Sequence, residues 1–106
     1  MILERLAKLV HETAKEKGFW DGDYNYDKIG NKLALVHSEV TEVLEAIRKD
    51  KGQVAVVEEM ADVIIRLLDI YQAMHEHGEI TISLEKVLKD KMEINKKREK
   101  LHGNKF

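Results

Sequence analysis

Residues 33–71 read LALVHSEVTEVLEAIRKDKGQVAVVEEMADVIIRLLDIY. Two runs with helical apolar periodicity are separated by Asp50-Lys51-Gly52, so the stretch reads as a helical hairpin with a glycine where the first arm stops. Each arm carries an acidic pair one turn apart, Glu39 with Glu42 on the first and Glu59 with Asp62 on the second. If the arms are antiparallel, Glu39 stands level with Asp62 and Glu42 with Glu59. Four carboxylates at one height repel each other unless a cation sits among them.

Spacing alone does not make that case. Acidic pairs three residues apart occur at 39/42, 42/45, 59/62, 76/79 and 90/93, and such neighbours are common on solvated helices. Placement is more discriminating. At about 100° per residue, the apolar stripe of the first arm runs through Leu33, Val36, Val40, Leu44 and Ile47. That of the second runs through Met60, Ile64, Leu67 and Tyr71. Taken as the seam of the hairpin, these stripes have both acidic pairs on the same rotational side, which an antiparallel arrangement brings to one face. A single carboxylate cluster is therefore expected, against the alternative of two unrelated solvated faces. Hard oxygen donors without Cys or His suit Mg²⁺, with Mn²⁺ as a substitute. Mg²⁺ on a few carboxylates recruits substrate phosphates, so the expected chemistry is phosphoanhydride cleavage by a metal-activated water.

The rest of the chain is consistent with an all-α domain spanning residues 1–106. It has no proline and six glycines, which favours long helices. Helix 1 is expected over about Ile2 to Lys17, with Gly18 after its end. Helix 2 should begin between Asp27 and Asn31 and run to Lys49, and helix 3 should cover Gln53 to His77. Helix 4 should start behind Thr81 or Ser83 and extend to about Leu101, followed by an irregular HGNKF tail. Between the first two helices, GFWDGDYNYD lacks periodicity and holds the sole Trp. Its alternating Asp and Asn residues imitate a calcium loop, but Tyr26 and Lys32 occupy the positions that need Gly and Glu. Helix 3 is apolar around more than half its circumference, which places it in the middle of a bundle or at a subunit interface.

Composition narrows the function. A formal net charge of −2 gives no electrostatic basis for binding a nucleic-acid polymer. Cysteine is absent, which removes disulfides and thiolate metal sites. No run approaches the length of a membrane span and the N-terminus lacks a signal-peptide core, so a cytoplasmic protein is expected.

The pattern E-x-x-E, sixteen intervening residues, then E-x-x-D resembles the metal motif of the MazG-type, all-α nucleoside triphosphate pyrophosphohydrolases. The surrounding KLALVHSEVTEVLEAIRKD, VVEEMADVIIRLLDIY and KDKMEINKKREKLHG are similar too, over about Gly18 to Gly103. The resemblance implies a four-helix bundle that hydrolyses a (deoxy)nucleoside triphosphate to monophosphate and pyrophosphate, a nucleotide-pool house-cleaning activity. It implies Mg²⁺ on Glu39, Glu42, Glu59 and Asp62. It also implies substrate binding by Lys91, Asn95 and Arg98, which form one stripe of helix 4. Trp20 is a further substrate-side candidate, for stacking on a base, with core capping as its ordinary alternative.

Arg66 and Asp69 continue the polar edge below Asp62 and are candidates for orienting the cluster. Glu45 reads as a surface ion-pair partner of Arg48 and Lys49, and His75 and His77 as caps for the end of helix 3. The large apolar surface of helix 3 predicts a homodimer or a dimer of dimers with sites near subunit contacts. Two other functions compete: a phosphoribosyl-ATP pyrophosphohydrolase-type enzyme, and a non-catalytic helical module whose acidic surface meets a basic partner.

Overall fold

The computed structural model describes residues 1–98 and is all-α. Its four helices are α1 (Ile2–Glu16), α2 (Tyr26–Arg48), α3 (Gln53–Glu76) and α4 (Leu84–Lys97), with no strand among the described residues. The expected continuation of helix 4 to Leu101 and the tail beyond it lie outside the described residues.

Local chemistry sets the helix ends. α1 stops at Lys17, and Gly18 follows at φ 82°, the left-handed position that a residue without Cβ takes most easily. α2 starts earlier than periodicity suggested because Asn25 caps it, its Oδ1 accepting from the Lys28 amide at 2.9 Å. The hairpin turn also differs from expectation. The left-handed residue after α2 is Asp50, at φ 51°, whereas Gly52 lies ahead of α3 as its N-cap. Asp tolerates that conformation better than most residues, though less well than Gly.

Ser83, rather than Thr81, caps α4, with its Oγ accepting from the Lys86 amide. A reciprocal arrangement fastens α4 to the start of α1. Glu4 accepts from the Glu85 amide at 3.1 Å and from the Ser83 hydroxyl, while Glu85 accepts from the Leu3 amide at 3.1 Å. Each carboxylate thereby satisfies an orphan N–H at the positive end of the other helix.

α3 is the central element, packed against α2 on one side and α1 on another, while α4 packs chiefly on α1. The line of α2 that is buried or half-buried runs through Ile29, Lys32, Val36, Glu39, Val43 and Ala46. On α3 the corresponding line runs through Val56, Glu59, Val63, Arg66 and Ile70. This corrects the seam inferred from periodicity, because two of the candidate ligands lie on the contact line itself.

Most of the stripe expected at the seam instead faces outward. Leu33, Val40, Leu44, Ile47, Met60, Ile64 and Leu67 are each 43–57% exposed. α1 does not cover this stripe: Asp69, which faces α1, follows Met60 by nine residues, about half a turn out of phase. No residue of α4 is buried. The Cα radius of gyration is 16.2 Å, against about 13 Å for a compact chain of this length. Much apolar surface therefore stays in solvent in the single chain.

Replacing Asp50 by Gly is expected to stabilise the hairpin by about 0.5–1 kcal/mol, because the left-handed strain exceeds the added freedom of the unfolded chain. Urea unfolding of the Asp50→Gly variant should therefore give a higher midpoint at unchanged slope.

Candidate active site

Carboxylate oxygens of Glu39, Glu59 and Asp62 lie within 4.8 Å of one another, drawn together across the contact of α2 and α3. Glu39 and Glu59 are half-buried and Asp62 is exposed. Glu42, the fourth residue expected in the cluster, is exposed and stands outside that group. It remains close enough to Glu59 to act on it electrostatically.

Burial, followed by the charges of Asp62, Glu42 and Glu39, raises the pKa of Glu59 above the ordinary 4.5. Arg66 offsets part of the repulsion, its Nε donating to Glu39 Oε1 at 3.1 Å. The donor set is hard oxygen throughout. Neighbouring oxygens on an octahedral Mg²⁺ at 2.0–2.1 Å stand about 2.9 Å apart, so side-chain rotation must draw the three closer by up to about 2 Å to share an ion.

Glu39, Asp62, Arg66 and Asp69 also line a cavity of about 300 Å³ between the hairpin and the C-terminal half of α1. Val10, Ala14, Phe19 and Ile65 form its apolar wall, and Lys17 stands on the α1 side. A cavity lined by both charged and apolar groups suits a ligand carrying both charge and a ring.

Asp69 departs from its expected role. Instead of orienting the carboxylate cluster, it is buried against α1 and gathers three donor contacts. His11 Nδ1 lies 2.7 Å from Oδ1, and the Trp20 indole N–H donates to both oxygens at 3.0 Å. His11 is 2% exposed and meets the Trp20 ring edge to face at 5.3 Å between centroids. Lys32 Nζ lies 4.9 Å from the centre of the Trp20 ring, and burial lowers the pKa of its ammonium. Trp20 is thus pinned by its polar edge, and its neighbour Phe19 is the aromatic that lines the cavity.

The loop carrying both aromatics is tied down a second time. Tyr24 stacks on His77 at 3.6 Å and donates to Glu79, and burial followed by Glu79 pushes its phenol up to about 12.

Periodicity did not single out His11 or Lys32. The available signal was an aspartate in the most apolar helix, two turns beyond Asp62, since a charge at such a position requires partners. Lys91, Asn95 and Arg98 belong to or adjoin α4, whose principal packing is on α1 and whose residues are all unburied. The single chain therefore does not bring α4 up to the carboxylates. Glu45 pairs with Arg48 and Lys49, each at 3.5 Å, in keeping with its expected surface role. His77 Nδ1 lies 2.8 Å from the Ala73 carbonyl and His75 Nδ1 2.9 Å from that of Ile80, so both close the end of α3.

Among known proteins, the family model described as MazG nucleotide pyrophosphohydrolase domain matches residues 29–102, which include all four motif carboxylates. Comparison with curated proteins and with solved structures gives no significant match.

Two outcomes follow from this geometry. With its pKa raised in the folded state, Glu59 releases its proton later there than in the unfolded chain, so stability falls as pH rises from the ordinary value through the raised one. The metal-free Glu59→Gln variant should thus exceed wild type in thermal midpoint at neutral pH, with the gap closing below about pH 4. Asp69→Asn should cost about 1–3 kcal/mol by leaving a buried donor short of an acceptor. As the chain has one Trp, the same variant should shift the fluorescence of Trp20.

Proposed function

The chain belongs to the MazG nucleotide pyrophosphohydrolase family, and from that premise we propose that it hydrolyses a (deoxy)nucleoside triphosphate to the monophosphate and pyrophosphate. The observation that carries this reading is the convergence of Glu39, Glu59 and Asp62, two of which also line the 300 Å³ cavity. Mg²⁺ is the proposed cofactor, with Mn²⁺ as a substitute, and Glu42 is its fourth ligand by a rotation of an exposed side chain. Bound there, the ion would neutralise phosphate charge and make a water acidic enough to attack phosphorus at neutral pH.

The protein's own groups divide the remaining work. Glu39, Glu59 and Asp62 must be ionised to hold the cofactor, so cation affinity should fall as pH drops through the raised pKa of Glu59 in the metal-free chain. The apolar wall of Val10, Ala14 and Ile65 excludes water around the nucleoside, and Phe19 offers it a ring face. Trp20 supports that end of the pocket from beside Phe19, held in place by Asp69. Lys17 adds positive charge at the cavity.

The exposed stripe on α2 and α3 and the unburied α4 support a homodimer or a dimer of dimers, each chain's antiparallel hairpin being completed to a bundle by its neighbour. In that assembly Lys91, Asn95 and Arg98 would reach the phosphates from an adjacent copy. Among the described residues no helix is long and apolar enough to cross a membrane, in keeping with a cytoplasmic substrate pool.

A panel of nucleoside triphosphates with Mg²⁺, assayed for pyrophosphate and monophosphate, tests the reaction. Glu59→Gln and Asp62→Asn are expected to lower turnover by at least about 100-fold with helix content unchanged, since each removes a ligand charge. Wild-type rates in both would rule out the site. Mg²⁺ should raise the thermal midpoint of wild type and not of these variants. No such rise would favour a non-catalytic acidic module. Sedimentation should give a dimer or tetramer at micromolar concentration, and a monomer would contradict the proposed assembly.

A further inference from the structure

We propose that Arg66 is an exchangeable counter-ion: it holds Glu39 while the carboxylates lack their cation, and moves to the substrate's phosphates when cation and nucleotide are both present. The proposal rests on the metal–triphosphate reading of the site and assigns Arg66 a role within it.

Arg66 stands one turn beyond Asp62 on α3, on the line that faces α2. Its Nε donates to Glu39 Oε1 at 3.1 Å, in a pair only partly open to solvent. Glu39 is also one of the three converging carboxylates. A divalent ion held by Glu39, Glu59 and Asp62 would therefore bring like charge close to the guanidinium, and the two cations would compete for one carboxylate. The competition disfavours metal binding on its own.

A triphosphate reverses that balance. Arg66, Glu39 and Asp62 line the same cavity, so phosphates bridged to an ion on the carboxylates would arrive within reach of the guanidinium. Its five donors in a planar fork match phosphate oxygens, and leaving Glu39 to the ion removes the conflict. Metal and nucleotide should then bind cooperatively, because each relieves an unfavourable charge arrangement left by the other.

The competing role for Arg66 is permanent orientation of Glu39 from behind, as outer-shell partners of metal ligands commonly do. The two roles differ in sign. Permanent orientation means that removing Arg66 weakens metal binding, whereas exchange means that removal strengthens it.

The test measures Mn²⁺ binding to the full chain without nucleotide, by the paramagnetic resonance signal of free Mn²⁺. A second arm measures calorimetric binding of a non-hydrolysable α,β-imido nucleoside triphosphate with Mn²⁺ present. Wild type, Arg66→Gln and Arg66→Lys are compared after far-UV dichroism shows equal helix content. Arg66→Gln should bind Mn²⁺ alone about 3–10-fold more tightly, and the metal-bound analogue about 10–100-fold more weakly. Arg66→Lys keeps the charge without the fork, so its Mn²⁺ affinity should stay near wild type and its analogue affinity should lie between the other two.

Weaker Mn²⁺ binding by Arg66→Gln would overturn the exchange in favour of permanent orientation. Unchanged analogue affinity would overturn the transfer to phosphate. A wild-type chain that binds Mn²⁺ but no triphosphate would sink the functional reading itself, and with it the transfer, while the Mn²⁺ arm still decided whether Arg66 competes at Glu39.

Discussion

The organising constraint in this molecule is like-charge repulsion placed on a helix–helix contact line. Glu39 and Glu59 occupy positions where a two-helix seam would ordinarily bury apolar side chains. Folding the hairpin forces them together with Asp62, within 4.8 Å. The tension shows in the raised pKa of Glu59 and in the ion pair by which Arg66 reaches Glu39. Carboxylates crowded in this manner carry the negative charge that a divalent cation would neutralise.

Around this point α3 serves as the axle. One line of it meets α2, another meets α1, and a third is left apolar and open. The open stripe on α3 and the matching one on α2 make the single chain more expanded than its length requires. The same feature leaves α4 without a buried residue, although its base is locked to α1 by the reciprocal Glu4 and Glu85 contacts. That base is well fixed, while the rest of the helix presents Val87, Leu88, Met92 and Ile94 to solvent.

On the α1 side, the organising group is a buried carboxylate with a full set of donors. Asp69 joins His11 of α1 to Trp20 of the connecting loop, and Tyr24 and His77 clamp the same loop at its other end. Phe19 reaches the cavity wall because the residue next to it is held in this way. Shape on the apolar side of the cavity thus depends on polar contacts behind it.

The helices, and the acidic pairs from which Glu39, Glu59 and Asp62 converge, were legible in the sequence because periodicity and capping act over a few residues. Gly18 follows the end of α1 as read, and Glu59 and Asp62, three residues apart, share one side of α3. What the periodicity got wrong was the partner of the apolar stripe. A helical wheel records which face is apolar, but not whether another helix of the same chain or a separate surface covers it, and Val40, Leu44 and Ile64 turned outward. Pairings across long separations, Asp69 with His11 and Arg66 with Glu39, were equally out of reach, because they depend on how α1 and α2 settle on α3. Sequence by itself determined the helices and the acidic spacing, since these follow from local backbone and side-chain chemistry. Only the tertiary structure decided which face is seam, which carboxylate has a cation beside it and which is buried on histidine and tryptophan, since those outcomes arise from packing between distant segments.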